Sequence, residues 1–110
     1  MAKNRSIKIE SGSGNVYADL GYPDSATQLL KADLVASIDD ILRHRRLTQT
    51  RSAKLLGLSQ PDVSRLLRGH FRDFSVDRLL KLLLILDRDV DIIIREPKKN
   101  RAARLTVEAA

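Results

Sequence analysis

Apolar residues recur at a helical spacing over the first long stretch of the chain, between residues 24 and 46. The members of this row are Leu30, Leu34, Val35, Ile38, and Ile41 or Leu42. Because residues three and four positions apart share one face of a helix, the row predicts an amphipathic helix. Asp24 is a good N-cap, so we expect the helix to begin there and to run to about Arg46.

Residues 47–69, LTQTRSAKLLGLSQPDVSRLLRG, predict two short helices joined by a sharp turn. Thr48 can cap the first helix with its hydroxyl, and Gly57 can adopt the positive φ that is common at a helix end. Ser59 can then cap a second helix over residues 60–68. This order of caps, glycine and helices is typical of a helix-turn-helix.

The second helix of this motif has two chemically different sides. The apolar residues placed to pack the two helices against a third are Ala53, Leu56, Leu58, Val63 and Leu66. The outward face consists of Gln60, Pro61, Ser64, Arg65 and Arg68. Any solvated helix shows a polar face, but amide, hydroxyl and guanidinium groups are also those that read base edges. The agreement of caps, glycine, spacing and charge favours a DNA-reading helix.

This segment resembles the helix-turn-helix of the phage-repressor (XRE) superfamily. The residues at that motif's spacing are Gln49, Ala53, Gly57, Val63 and Leu66. The resemblance implies that Gln49 braces a phosphate. It also implies a base-reading role for Ser59, Gln60, Ser64 and Arg65. Pro61 departs from the family pattern, because it lacks a base-reading side chain and an amide hydrogen.

The remaining pattern predicts a further helix and a strand. Residues 76–86 are apolar on more than one stripe, which fits either a central helix or, as we interpret it, a subunit interface. Residues 90–95 alternate and are rich in β-branched side chains, which predicts a strand. Such a strand has no partner in a helical domain, so we expect it to pair with a second copy across a two-fold axis. The candidate dimer-interface residues are Leu82, Leu84, Ile85, Val90, Ile92, Ile93 and Ile94.

The predicted fold is therefore mainly α and dimeric. We expect a bundle of about five helices with a lambda-repressor-like helix-turn-helix and a C-terminal β-strand. The fifth helix would be a short turn within residues 15–23. Residues 16–96 would form the DNA-binding domain with its dimerisation strand. Residues 1–15 are expected to be a flexible segment, and residues 97–110 a basic tail.

Positive charge is concentrated in the helix-turn-helix and its flanks. Residues 43–72 contain eight basic residues and one acidic residue, a net charge of +7, whereas the whole chain of 110 residues carries +6. Such a concentration is the electrostatic footprint of nucleic-acid binding. The expected phosphate contacts are Gln49, Lys54, Arg68 and Arg72.

Composition argues against several other functions. The chain has no cysteine, and its two histidines, His44 and His70, are too isolated for a metal centre. Ser37, Asp40 and His44 are better explained as the polar face of a helix than as a catalytic set. We therefore expect no enzyme activity and no cofactor. No apolar run approaches the ~20 residues of a membrane helix, and no signal peptide is evident, so we expect a cytoplasmic protein without a membrane partner or small-molecule substrate.

A wider resemblance, to HigA-type antitoxins, covers most of residues 14–95. It is carried by GNVYADLGYPD, by the central LTQTRSAKLLGLSQPDVSRLLRGHFRDFSVDRLLKLL and by DVDIIIR. This resemblance implies a repressor that binds operator DNA and a small RelE-type ribonuclease toxin. The toxin would contact residues 1–23, with Tyr17 and Tyr22 as anchors, or the outer side of the first helix. A stand-alone phage-type regulator is the alternative, and a nuclease using the basic face is a third hypothesis that no carboxylate cluster supports.

Overall fold

Four helices make up the part of the chain that the computed structural model describes, residues 25–109. They are α1 (Ser25–His44), α2 (Gln49–Leu56), α3 (Gln60–Leu67) and α4 (Val76–Ile85). The prediction of a mainly helical fold with a helix-turn-helix, formed by α2 and α3, is confirmed. Of the about five helices predicted, these four are seen, and the helix expected within residues 15–23 lies outside the described residues. No helix in the range 25–109 combines the length and apolar character needed to cross a bilayer.

The core is built from one face of every helix. Helix α1 packs against α4 and α2 against α3, while α1 also contacts α3 and α2 contacts α4. The predicted apolar row of α1 is buried at Leu34, Val35, Ile38, Ile41 and Leu42, with Leu30 half-buried beside them. The largest fully buried apolar side chains are Ile38, Val63, Leu66, Phe74, Leu79 and Leu86.

All four helices end in the same way, with one residue in the left-handed region. These residues are Arg46, Gly57, Gly69 and Asp87, with φ values of 56°, 71°, 93° and 63°. After each of them a backbone N–H reaches the carbonyl five residues back, as in Leu58 to Ala53 (3.0 Å) and Arg88 to Leu83 (3.0 Å). This is the hydrogen-bond pattern of a Schellman motif. The same turn at Arg46 ends α1 at His44, two residues before the predicted end.

Two basic side chains, Lys31 of α1 and Arg45 just after it, tie the later part of the chain to this helix. Lys31 is buried, at 8% exposure, and its Nζ donates a hydrogen bond to the carbonyl of Arg72 (3.1 Å). Arg45 Nη2 donates to the carbonyl of Leu86 at the end of α4 (2.7 Å). Both bonds satisfy backbone carbonyls that helix and loop geometry leave without a partner.

The C-terminal β-strand predicted at residues 90–95 is not formed. Residues 88–98 carry no regular secondary structure, and no strand occurs anywhere in the described range. A strand is held by backbone hydrogen bonds to a neighbouring strand, which this part of the chain does not supply. Val90 packs partly against the core, whereas Ile92, Ile93 and Ile94 are 76%, 64% and 64% exposed.

The residues expected at a dimer interface therefore fall into two groups. Leu82 is only 3% exposed and belongs to the core of its own chain, so its assignment to the interface was wrong. Leu84 and Ile85 are exposed on the outer side of α4.

Further along, the exposure of residues 101–107 alternates residue by residue, and Val107 packs against the core.

Candidate nucleic-acid interface

The turn between α2 and α3 is built by local hydrogen bonds. Thr48 Oγ1 accepts a hydrogen bond from the Arg51 amide (3.1 Å) and so caps α2. Gly57 takes the left-handed conformation at the end of α2, and Ser59 Oγ then accepts from the Asp62 amide (3.1 Å) to cap α3. Each of these capping roles was predicted and is confirmed. Together they fix the direction in which α3 leaves the turn.

Helix α3 shows one apolar and one polar side. Val63 and Leu66 are 0% exposed and anchor the helix in the core. On the opposite side Gln60, Pro61 and Arg68 are exposed, and Ser64 and Arg65 are half-buried. Pro61 lies in the first turn of α3, where its missing N–H removes no helical hydrogen bond. The residues predicted to read bases on α3 therefore lie on the side opposite its buried residues, Val63 and Leu66.

The predicted phosphate-binding residues are also accessible. Gln49, the first residue of α2, and Lys54, near its end, are exposed. Arg68 ends α3 and Arg72 follows in the α3–α4 loop, residues 68–75, and both are exposed. Side chains from α2 and from the α3–α4 loop are thus available to contact phosphates at several points along a DNA backbone.

Positive charge is concentrated on side chains in and beside α2 and α3. Of the eight basic residues in 43–72, all are exposed except Arg65. Arg43, in the last turn of α1, pairs with Asp39 (3.0 Å), and Arg45, just after α1, donates to the distant Leu86 carbonyl. The remainder lie in the motif or directly beside it: Arg46, Arg51, Lys54, Arg65, Arg68 and Arg72.

Arg65 is held more closely than the other polar residues of α3. Its Nη2 lies 3.8 Å from Asp62 Oδ1 and 3.9 Å from Asp73 Oδ2. Its Nε is buried and has no hydrogen-bond partner among the described residues. The guanidinium therefore sits between one carboxylate of its own helix and one of the following loop.

Sequence reasoning missed two residues that shape this region. Lys31 stands in the apolar row of α1, three and four positions before Leu34 and Val35, and that spacing was a usable signal of burial. The conformation of the α3–α4 loop brings Asp73 close to Arg65, and no local sequence pattern predicts that conformation. Among residues 25–109 no group of three or more acidic or histidine side chains could hold a metal ion.

Comparison with known proteins points to one kind of molecule. The sequence profile of a family described as a helix-turn-helix domain matches residues 16–95. A solved structure assigned as an XRE family transcriptional regulator is similar to this chain, with 40% sequence identity and a TM-score of 0.76. The match covers 80% of this chain and 100% of the other. A search of curated protein sequences finds no significant match.

Proposed function

This chain belongs to the helix-turn-helix domain family of XRE transcriptional regulators, and from that premise we propose that it is a sequence-specific repressor that binds duplex operator DNA. The observation that carries the proposal is the polar side of α3. It is presented outward by a helix whose other side is fully buried, and exposed basic side chains surround it. A helix held in this way can enter the major groove without rearrangement.

In this proposal the residues divide into two roles. Base readout falls to α3 and its N-cap, namely Ser59, Gln60, Ser64 and Arg65. Phosphate contacts, which position the protein without selecting a sequence, fall to Gln49, Lys54, Arg68 and Arg72. The exposure of the second group and the outward placement of the first support this division.

Titration of the protein against two DNA duplexes tests this division into base-reading and phosphate-binding residues. The probes are DNA from upstream of the chain's own gene and a random duplex, each at several salt concentrations. Arg68→Ala should weaken both complexes alike and reduce the salt slope by about 1, because one phosphate contact is lost. Arg65→Ala should weaken the operator complex by ~1–3 kcal/mol and leave the random complex nearly intact.

Lys81→Ala is the matched control, since it removes one positive charge from the exposed side of α4. Its effect should be small on both duplexes. Equal losses on both duplexes for Arg65→Ala would contradict the readout role. Failure of the wild-type chain to prefer any upstream sequence over random DNA would contradict the proposed function.

We propose further that the repressor acts as a homodimer joined through residues 90–95. Three consecutive isoleucines, Ile92 to Ile94, are exposed there, and Leu84 and Ile85 are exposed on α4. Apolar surface of this kind favours association, and pairing with the same segment of a second copy would satisfy its backbone hydrogen bonds.

Replacing Ile92 and Ile94 together by Asp should give monomers that bind the operator weakly, as measured by light scattering and titration. The control is Lys98→Ala with Lys99→Ala, which shifts the net charge by the same two units and keeps the isoleucines. A wild-type chain that is a stable monomer at micromolar concentration would overturn this part of the proposal.

The finer proposal is that the chain is the antitoxin of a RelE-type toxin. It is supported by the resemblance of residues 14–95 to HigA-type antitoxins. Because the basic side is assigned to DNA, the toxin would take the N-terminal residues 1–23 or the outer side of α1, where Leu29 is exposed. A stand-alone regulator without a toxin is the alternative.

Co-expression of this chain with the neighbouring open reading frame distinguishes an antitoxin from a stand-alone regulator. A neighbour that stops growth alone and is neutralised by this chain supports the antitoxin. A harmless neighbour supports the stand-alone regulator. Deleting residues 1–15 and, separately, changing Leu29→Glu would show which of the two surfaces the complex requires.

A further inference from the structure

The α3–α4 loop, residues 68–75, is held from inside the molecule. Its Arg72 carbonyl accepts a hydrogen bond from Lys31 Nζ (3.1 Å), across 41 residues of sequence. Lys31 is itself buried in the row that faces the core. Because a buried ammonium is costly without a partner, this bond fixes the loop against α1.

The residue after Arg72 faces the reading helix. Asp73 Oδ2 lies 3.9 Å from Arg65 Nη2, on the same nitrogen that Asp62 approaches to 3.8 Å. The Asp73 side chain is 83% exposed, so solvent screens this ion pair and its contribution to folding is small. A carboxylate here also repels DNA phosphates, which lowers affinity for every duplex.

The ion pair between Asp73 and Arg65 can restrict the orientation of the Arg65 guanidinium. A guanidinium is planar and presents its donors in a fixed fork, so its hold on guanine depends on the orientation of that plane. A long arginine side chain samples many orientations unless a neighbour restricts it. The two carboxylates facing Nη2 restrict this plane. Because Nε is buried, Nη1 is the nitrogen left to donate to a base.

We propose that Asp73 is a specificity-determining residue that orients Arg65 for base readout, and that Lys31 positions the loop that carries it. The inference rests on the proposed operator binding and names a determinant outside the helix-turn-helix itself. In this proposal Asp73 lowers the affinity for every duplex and raises the preference for the operator over random DNA.

The test compares Asp73→Asn with Asp77→Asn. Both remove one exposed negative charge near the start of α4, but Asp77 pairs with Lys81 (3.3 Å) rather than with Arg65. Binding to operator and random duplex is measured at several salt concentrations. Both variants should bind random DNA somewhat more tightly. Asp73→Asn should also lower the operator-to-random ratio by about tenfold, within the range that one oriented base contact supplies, while Asp77→Asn leaves the ratio unchanged.

A double-mutant cycle tests whether Asp73 acts through Arg65. In an Arg65→Ala background, Asp73→Asn should have no further effect on the ratio, because the group it orients is absent. Lys31→Met, checked for folding by thermal melting, should lower the ratio in the same direction.

Two results would overturn the proposal. One is an unchanged ratio in Asp73→Asn, which would make the pair a local surface contact without a role in selectivity. The other is an equal fall of the ratio in the presence and absence of Arg65. A wild-type chain that fails to distinguish operator from random DNA would instead contradict the proposed function.

Discussion

The helix-turn-helix at residues 47–69 buries most of the apolar residues predicted to pack it, whereas the segment at residues 88–96 exposes nearly all of its apolar side chains. Val63 and Leu66 are 0% exposed, while Ile92 is 76% exposed. Both regions have a regular apolar pattern, one with a helical period and the other with a period of two. The difference lies in the surroundings: α3 has α1 and α2 to pack against, and residues 88–96 have no neighbouring strand within the described range. A hydrophobic pattern fixes an element when the surface that completes it belongs to the same chain.

Truncation of one apolar side chain in each region gives the largest expected contrast. Leu66→Ala should reduce the free energy of unfolding by ~2–5 kcal/mol, because it leaves a cavity in a closed core. Ile93→Ala should change it by less than ~0.5 kcal/mol in the monomer, because the side chain is already in water. Urea unfolding at a low protein concentration measures both. A repeat at high concentration sharpens the comparison, since a dimer through this segment would make Ile93→Ala costly there.

The turn at Gly57 gives an effect of intermediate size. Gly57→Ala should cost about 1–2 kcal/mol, the penalty for placing a Cβ in the left-handed region. No atom lies within 4 Å of the added Cβ, so backbone strain accounts for the whole cost. Gly57→Asn should be milder, because asparagine tolerates this conformation. Equal losses for the two variants would point to a steric cause and contradict the explanation.

A smaller effect than that of Gly57→Ala is expected at the matching turn after α4. Asp87 has φ of 63° where α2 and α3 use glycine. Asp87→Gly should raise the free energy of unfolding by up to ~1 kcal/mol, because relief of the left-handed strain exceeds the added chain entropy of glycine. Thermal melting measures the gain, with Asp89→Gly as the control outside the turn. A loss of stability at Asp87→Gly would show that the aspartate side chain stabilises this turn.

Local signals in the sequence account for most of what was predicted correctly. Thr48, Gly57 and Ser59 act within a few residues of their own positions, so the boundaries of α2 and α3 follow from the sequence to within one residue. The end of α1 was placed two residues late, because its left-handed residue is Arg46, which carries no such signature.

What the sequence could not supply depends on distant contacts. The sequence predicts the apolar excess of α4 but not which side the core covers. Leu82 is therefore predicted to face outward together with Leu84 and Ile85, although of these three only Leu84 and Ile85 are exposed. The approach of Asp73 to Arg65 depends on a loop path that is set by Lys31 from α1. The roles of individual side chains toward DNA stay predictions.

The shortness of α2 and α3 has a consequence for how the molecule opens. Each has eight residues, and helices of that length do not persist alone in water. The reading helix therefore exists only while α1 and α2 are docked against it. The amide hydrogens of α3 should exchange with solvent at the rate at which the whole domain unfolds. Local fraying should contribute little, because α3 is not stable apart from the rest of the domain. The DNA-reading surface and the core thus form a single cooperative unit, and any change that loosens the core removes both together.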